Sequence, residues 1–501
     1  MESKHIVIIG AGIAGLSAAS YLLRNGYRVT IVEQHVLPGG LCTSWNRKGY
    51  TIDYCVHWLM GTREGTHLHA MWEELGAFVN SDGSKVPVVN FDVFDTVMLS
   101  DGTTVSLYSD IHKLKQELLR IGPEDERPID ALCKALKRLG SISNPEIANQ
   151  DKTRKKVYSL ITVISQIVTM MQHLIPMKDY VKRFKSKKLQ ELFLSTIPHT
   201  WSTIAFTMGL AQQPLKNAGY VVGGSLNFAQ NIERVVKRSG GVIRYGTAVT
   251  KIRVQDTQAV GVELADSTVI DADYVISAAD GYATVHTMLD GQIVPKSLKR
   301  IYEHYPLFPS TVMIALGLNR DCSDLPHGIS LYLKNPITLF DGTVHDRLAL
   351  NIYHYDPTLA PLGKTVMTVL LTTWESAVWE QLATDNPEHY AAEKERIAQQ
   401  VIERLEAFFG NIASQIEMID VSTPRSVMRY TGNWKGSFEG FAPTRQTVTK
   451  KIPKHIPGLE NFAMIGQWTS PGGGLPTAAK DGRDIARELC KKDRKQFVST
   501  L

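Results

Sequence analysis

Residues 5–33 read HIVIIGAGIAGLSAASYLLRNGYRVTIVE and decide the fold class of this chain. The apolar run over 5–9 is typical of a buried parallel strand, and a turn with three glycines follows it. Gly10 permits the tight turn, Gly12 lets a pyrophosphate approach the backbone, and Gly15 lets the next helix pack close to the strand. The stretch therefore predicts an α/β fold with a parallel, Rossmann-type sheet that binds a dinucleotide.

Glu33 closes the second strand of this unit. It follows the glycine turn by about 20 residues, where a carboxylate can accept hydrogen bonds from ribose hydroxyls. The pyrophosphate would lie at the N-terminus of the helix, because free amides and the helix dipole favour anions there. Ile13 and Ala14 in the first helical turn, and Gln34 after the acid, complete the predicted contacts. A glycine turn that serves packing alone would not explain the acid.

The bulk composition is that of an ordinary globular chain. The chain has 501 residues, which is long enough for two or more packed domains. Its residues are 43% hydrophobic, and its formal net charge is +5. Five cysteines without a CxxC pair favour reduced thiols in a cytoplasmic protein, with no disulfide framework and no metal site. Every long apolar run is interrupted by polar residues, so we expect no membrane span. The mildly basic balance does not indicate a nucleic-acid partner.

The positive charge is concentrated in residues 151–188, which carry ten Lys and Arg residues against two Asp residues. An apolar run over 157–175, interrupted by polar side chains, lies between the basic clusters. A basic-flanked amphipathic helix of this kind can lie in a membrane interface, which would make the protein peripheral to a membrane. A core helix with solvated basic ends explains the same pattern, and both interpretations stay open.

A Pro-Gly-Gly loop follows the first unit at residues 38–40. Gly39 and Gly40 have no side chains, so the backbone can pass close to a second part of a long cofactor, and Leu41 comes next. Further on, His57 and Trp58 place an imidazole beside an indole. They either face a flavin or a substrate as catalytic residues, or form a satisfied core histidine beside a core tryptophan.

A second specific motif lies near the C-terminus, where a predicted strand over 462–466 precedes QWTSPGGGLP at 467–476. Glycines before a helix N-terminus form an anion site, and such an end would stabilise the negative charge of a reduced flavin. The predicted cofactor contacts here are Gly466, Gly474, Leu475, Pro476 and Ala479. Upstream, residues 423–447 are rich in glycine, arginine and aromatic residues, and they include a third catalytic candidate, Arg445.

The opening motif, the two-glycine loop and Ile52-Asp53 followed by His57 resemble the flavin amine oxidase superfamily. The resemblance is closer to its branch of phytoene desaturases, carotenoid isomerases and retinol saturases, although Cys55 stands where that branch often has glycine. It implies FAD as the cofactor and a backbone contact from Val249 to the adenine. It also implies a lipophilic substrate, an isoprenoid or polyene, and an electron donor or acceptor that the sequence does not name.

These patterns predict a discontinuous FAD-binding domain and a mixed α+β substrate domain with an antiparallel sheet and a helical part. The first comprises residues 1–85, 216–295 and 420–494, and the second comprises 86–215 and 296–419. The leading function is an FAD-dependent oxidoreductase that desaturates, saturates or isomerises C–C double bonds. The alternatives are a flavin amine oxidase and a flavin-bound, membrane-recruited protein without enzymatic activity.

Overall fold

The opening segment folds around two adjacent parallel strands, His5–Ile9 and Arg28–Val32, joined through the helix Ile13–Arg24. The structure, a computed structural model, describes residues 3–141, 163–291, 293–450 and 452–500. The two strands belong to a five-stranded parallel sheet, which confirms the predicted Rossmann-type α/β fold. In spatial order its strands are Val242–Arg244, Arg28–Val32, His5–Ile9, Tyr274–Ser277 and Phe462–Met464.

The two ends of the chain meet on one face of this sheet. The helix Gly474–Lys492 packs against the helix Ile13–Arg24, and Ser17 Oγ donates a hydrogen bond of 2.7 Å to the carbonyl of Ala479. The helices approach closely at Gly482, where a Cβ would lie 2.5 Å from the amide nitrogen of Ala18. This packing brings the C-terminal glycine motif beside the N-terminal glycine turn.

A second, seven-stranded sheet collects strands from two distant parts of the chain. Neighbouring strands are antiparallel, as predicted, except for one parallel pair between Gly328–Thr338 and Val93–Met98. The edge strand Ile416–Ser422 crosses the domain boundary that we predict at residue 420. In spatial order the strands are Ile416–Ser422, Ser310–Leu318, Thr365–Thr373, Val344–Ile352, Gly328–Thr338, Val93–Met98 and Thr104–Tyr108.

Three small sheets and a set of helices complete the fold. The small sheets consist of Val249–Gln255, Gln258–Leu264 and Val269–Asp271; of Ser44–Arg47 and Tyr50–Asp53; and of Leu59–Met60, Ala218–Val221 and Val88–Val89. Within the described ranges, and besides the helical residues 163–172, the other helices of eight or more residues are His67–Glu74, Ile111–Ile121, Glu126–Gly140, Lys187–Leu194, Ile204–Gln212, Gly224–Arg238, Lys296–His304, Ser376–Asp385, Pro387–Phe409 and Pro424–Thr431.

The basic segment 151–188 is described from residue 163 onward, and its first part lies outside the described residues. Residues 163–172 are helical. Among the helices of the described ranges, none is long and apolar enough to cross a membrane.

Two predicted elements differ from the structure for identifiable reasons. The strand predicted over 86–97 is two strands, Val88–Val89 and Val93–Met98, because each pairs with a different sheet. The helix predicted to begin with Ser225 as its cap begins at Gly224. Ser225 lies inside the helix, and its hydroxyl accepts a hydrogen bond of 2.8 Å from the amide of Val56 and donates one of 2.6 Å to Asp53, so it does not cap the helix.

Candidate active site

A cavity lies at the carboxyl ends of the parallel strands, where open α/β sheets bind their ligands. Most of the predicted cofactor residues line it, and they come from both ends of the chain and from the middle. These lining residues are Gly10, Gly12, Ile13, Ala14, Glu33, Gln34, Gly39, Gly40, Leu41, Val249, Gly466, Gly474 and Leu475. Gly15, Pro476 and Ala479 lie outside the lining, and Gly15 and Ala479 hold the neighbouring helices in place.

The first glycine turn has the backbone geometry that a dinucleotide needs. Gly10 has a φ of +97°, and its amide donates a hydrogen bond of 2.8 Å to the carbonyl of Val32. A Cβ on Gly15 would lie 2.1 Å from the carbonyl oxygen of Gly10, so only glycine permits this close helix start. Gly12 caps the helix Ile13–Arg24 in an extended conformation, which leaves the first helical amides facing the cavity.

Glu33 is buried at the rim of the same cavity. Its Oε2 accepts a hydrogen bond of 2.7 Å from the amide of Ala11, and its Oε1 accepts one of 2.8 Å from the amide of His35. Burial raises the pKa of Glu33, and these two amides oppose that shift. The carboxylate is therefore held in one orientation at the position where the sequence predicts a ribose contact.

The two-glycine loop approaches the first turn directly. The amide of Gly39 donates a hydrogen bond of 2.9 Å to the carbonyl of Ala11, and Gly39 forms a parallel bridge with Gly12. A Cβ on Gly39 would lie 2.2 Å from the carbonyl oxygen of Cys42, and the φ of Gly39 is +106°. A larger residue here would push the loop away from the pyrophosphate site.

The C-terminal motif closes the opposite wall. Asp481 accepts hydrogen bonds of 3.1 Å from the amide of Gly466 and from the hydroxyl of Thr469, and it forms an ion pair with Lys454. These contacts fix the turn that follows the last strand of the parallel sheet. The helix Gly474–Lys492 then begins at the cavity, so its N-terminus is available to negative charge.

The sequence did not single out Glu439, which the structure places in the cavity wall. One carboxylate oxygen of Glu439 lies 2.9 Å from the position that a Cβ on Gly474 would occupy. Burial raises the pKa of Glu439 to about 7, so this side chain can exchange a proton near neutral pH. The only available signal was its place inside 423–447, the segment that the resemblance puts beside the flavin.

Asp280 also lines the cavity and joins this segment to the parallel sheet. It accepts hydrogen bonds from the amides of Ala283, at 2.7 Å, and Trp434, at 2.8 Å. Burial raises the pKa of Asp280 to about 6. Through the Trp434 contact, Asp280 fixes the loop between Tyr430 and Glu439, both of which line the cavity.

His57 lies outside the cavity lining, next to the seven-stranded sheet, where it contacts Tyr353 at the end of the strand Val344–Ile352. Its Nδ1 is 3.1 Å from the hydroxyl of Tyr353, and burial lowers the pKa of His57 to about 4. The imidazole is therefore neutral at pH 7. Asp53 fixes the backbone just before His57, because one of its carboxylate oxygens accepts hydrogen bonds from the amides of Cys55 and Val56.

The other two catalytic candidates, Trp58 and Arg445, have surroundings that differ from those of His57. Trp58 is 37% exposed, and its ring makes an edge contact with Phe94 at a centroid distance of 6.2 Å. Arg445 begins a short helix, Arg445–Thr449, and is exposed to solvent. Neither side chain belongs to the lining of the cofactor cavity.

The residues of the cavity fit a flavin dinucleotide. Backbone from the Gly10 turn, the Gly39 loop and the Gly466 turn can approach an extended cofactor without side chains in the way, and Glu33 lies at the end where the sequence predicts the ribose contact. A protonable carboxyl and a helix N-terminus mark the other end, where flavin chemistry would need them. Fold and site together define an FAD-dependent oxidoreductase.

Comparison with known proteins identifies the family. The family model described as flavin containing amine oxidoreductase matches residues 13–490, so the chain belongs to this family. It is 24% identical to the chloroplastic prolycopene isomerase of Arabidopsis thaliana, over 95% of this chain and 81% of the relative. It is 25% identical to a 4,4'-diapophytoene desaturase (4,4'-diapolycopene-forming) of Methylomonas sp, over 99% of this chain and 97% of the relative.

The fold of this chain is similar to that of solved oxidoreductase structures. A crystal structure of an oxidoreductase from Methanosarcina mazei aligns with 96% of this chain and 100% of its own, with a TM-score of 0.63 and 17% identity. These findings confirm the predicted family and the FAD cofactor.

Proposed function

We propose that this protein uses FAD to desaturate, saturate or isomerise C–C double bonds of a lipophilic isoprenoid or polyene. The observation that carries the proposal is the full-length similarity to a prolycopene isomerase and a diapophytoene desaturase, whose names describe polyene chemistry. FAD supplies hydride transfer when bound, and the chain supplies orientation and a dry site. The division into a cofactor domain and a substrate domain is part of the same proposal, with the strand Ile416–Ser422 assigned as a whole to the substrate domain.

Glu439 is the proposed proton donor or acceptor of this site. It lines the cofactor cavity beside Gly474, and its pKa of about 7 allows both protonation states at neutral pH. His57 is proposed to orient substrate as a neutral hydrogen-bonding group, because burial holds its pKa at about 4. Trp58 is proposed to contact the substrate, whereas exposed Arg445 has no role in this scheme.

An aromatic route supports access of a lipid to the cavity. Phe438 lines the cavity, and its ring lies 5.0 Å from that of Phe308. The ring of Trp201 lies 4.5 Å from that of Phe308. The next residue, Ser202, donates a hydrogen bond of 2.9 Å from its Oγ to the carbonyl of His173, which directly follows the helix 163–172. An apolar molecule could follow these rings from the helix 163–172 to the cofactor.

The helix 163–172 is proposed as the contact with an anionic membrane surface. Its outward face is apolar, with Ile164, Ile167 and Met171 exposed by 52%, 50% and 65%. The exposed cations Lys178, Lys182, Arg183, Lys185 and Lys187 follow in the chain. An apolar face beside a cationic cluster matches the interface of a membrane with anionic headgroups.

The enzymatic proposal is tested by anaerobic incubation of the holoprotein with liposomes that carry an acyclic polyene. Desaturation should reduce the oxidised flavin, saturation should oxidise the reduced flavin, and isomerisation should leave the flavin state unchanged while the polyene geometry changes. Chromatography of the extracted polyene reads out all three results. A polyene that stays unchanged both with the oxidised and with the reduced flavin would contradict the proposal.

The membrane proposal is tested by flotation with anionic and zwitterionic vesicles. The wild type should float with anionic vesicles, and a variant with Ile164→Glu, Ile167→Glu and Met171→Glu should stay at the bottom. Val344→Glu is the matched control, because Val344 is 60% exposed on a strand far along the chain. Flotation of the triple variant equal to that of Val344→Glu would contradict the membrane contact.

A further inference from the structure

Two of the five thiols lie together at the cofactor cavity. Cys42 and Cys55 both line it, Cys42 being buried and Cys55 half-buried. The other three cysteines, Cys133, Cys322 and Cys490, are buried away from this lining. All five are free thiols in this structure.

A short antiparallel hairpin brings the chain segments of Cys42 and Cys55 together. In the antiparallel pair Ser44–Arg47 and Tyr50–Asp53, Ser44 lies opposite Asp53. One step beyond, the amide of Tyr54 donates a hydrogen bond of 3.1 Å to the carbonyl of Thr43. Residues 39–43 then form a turn, in which the amide of Cys42 donates a hydrogen bond of 3.0 Å to the carbonyl of Gly39. At this end of the hairpin the Cys42 and Cys55 side chains are hydrogen-bonded to each other, so their sulfur atoms are in contact.

The thiols also interact chemically. Hydrogen bonding with the Cys55 thiol, together with burial, raises the pKa of Cys42. Cys42 Sγ donates a further hydrogen bond of 3.4 Å to the carbonyl of Ser225. The Cys42 thiol is therefore held in its neutral form, and oxidation of the pair would need an acceptor for two protons and two electrons.

We propose that Cys42 and Cys55 form a dithiol–disulfide redox pair that exchanges two electrons with the bound flavin. In the forward direction two S–H bonds break and one S–S bond forms. The two electrons and two protons pass to the oxidised flavin, which becomes the fully reduced form, and the reverse step restores the thiols. The flavin is thus the oxidant and the dithiol the reductant.

The pair would give the site a store of two electrons that is independent of the substrate. The inference goes beyond the proposed polyene chemistry, and it holds for any substrate that the flavin serves. Saturation of a double bond consumes two electrons, so a reduced pair could re-reduce the flavin after one turnover. An external thiol reductant could then reload the pair through the half-buried Cys55.

The test is an anaerobic dithionite titration of the holoprotein after oxidation with diamide. The wild type should take up about four electrons per flavin, and Cys42→Ser and Cys55→Ser should each take up about two. Cys133→Ser and Cys490→Ser are matched controls, because they remove buried thiols elsewhere, and each should titrate like the wild type. Two electrons per flavin in the oxidised wild type would overturn the proposal.

A thiol count on the denatured, oxidised protein checks the pair without any activity of the flavin. Oxidised wild type should show three free thiols of its five cysteines, and a peptide joining residues 42 and 55 should be about 2 Da lighter than its reduced parts. The Cys42→Ser and Cys55→Ser proteins should keep all remaining thiols. Five free thiols in the wild type would refute the disulfide even if polyene conversion is observed. If the disulfide forms but the protein does not convert polyenes, the redox pair is supported and only the proposed function is contradicted.

Discussion

Replacing Gly39 by alanine should weaken FAD binding by a factor that the structure lets us bound. At a φ of +106°, alanine costs about 1–2 kcal/mol relative to glycine. Its Cβ would also lie 2.2 Å from the carbonyl oxygen of Cys42 and 2.9 Å from the Cβ of Ala229. Overlap with a backbone atom and a buried methyl adds about 1–3 kcal/mol. The sum is about 2–5 kcal/mol.

The loop can relieve this strain only by moving away from Ala11 and Gly12. Binding of FAD must then return the loop to its strained position, and the free energy of that step is lost from the affinity. Since about 1.4 kcal/mol corresponds to a tenfold change in Kd, the expected loss of affinity is at least about 30-fold. The assay is titration of the apoprotein with FAD, followed by flavin fluorescence, at a temperature where circular dichroism shows a folded variant.

Gly102→Ala is the matched control. Gly102 has a φ of +85°, but no atom lies within 4 Å of the position of its Cβ. That variant should lose about 1 kcal/mol of unfolding free energy and keep its FAD affinity. A folded Gly39→Ala protein with a Kd within about threefold of the wild type would refute the assignment of this loop to the cofactor, even if its Tm were lower.

Three further predictions follow from the titratable groups. Conversion of a polyene should have an inflection near pH 7 that Glu439→Gln removes, because burial raises the pKa of Glu439 to about 7; an inflection that survives the substitution would exclude this residue. His57→Gln should change the rate by less than about tenfold without altering the pH profile above about pH 5, because His57 is already neutral there. Asp53→Asn should lower the free energy of unfolding by about 1–3 kcal/mol in urea titrations, since the amide of Ser225, which donates to the second carboxylate oxygen, would then face an asparagine NH2 group. Burial raises the pKa of Asp53 from 3.8 to about 6, so the wild type should lose stability as pH rises from about 4 to 6, and the asparagine variant should lack this slope.

Elements with strong local signals were predictable from the sequence. The helix Pro387–Phe409 is capped by Asn386 and ends before Gly410, and both ends follow from local preferences, of Asn-Pro for a helix start and of Gly for a helix end. The strand Gly328–Thr338 was missed, because its second half contains Lys334, Asn335 and Pro336 and its register shifts there. A partner strand, which local pattern cannot reveal, holds that irregular stretch in the sheet.

The same division applies to the site. The glycine motifs are local, and their backbone requirements predict a cavity lining that the structure assembles from both ends of the chain. The position of Glu439 beside Gly474 depends on a contact between segments far apart in sequence, so residue type and spacing could not reveal it. The Cys42–Cys55 contact depends on how the chain turns at the end of the hairpin Ser44–Asp53, which residue type does not show. His57 and Trp58, adjacent in sequence, have different surroundings, because Tyr353 approaches only the first.

The most direct measurement of the central claim is a single-turnover comparison of a polyene with a primary amine. The holoprotein, with its flavin oxidised or reduced, is mixed anaerobically with polyene-containing liposomes or with the amine, and the flavin spectrum and the extracted products are recorded together. The account predicts a polyene product of altered saturation or geometry and no bleaching of the flavin by the amine. Bleaching by the amine with an unchanged polyene would contradict it.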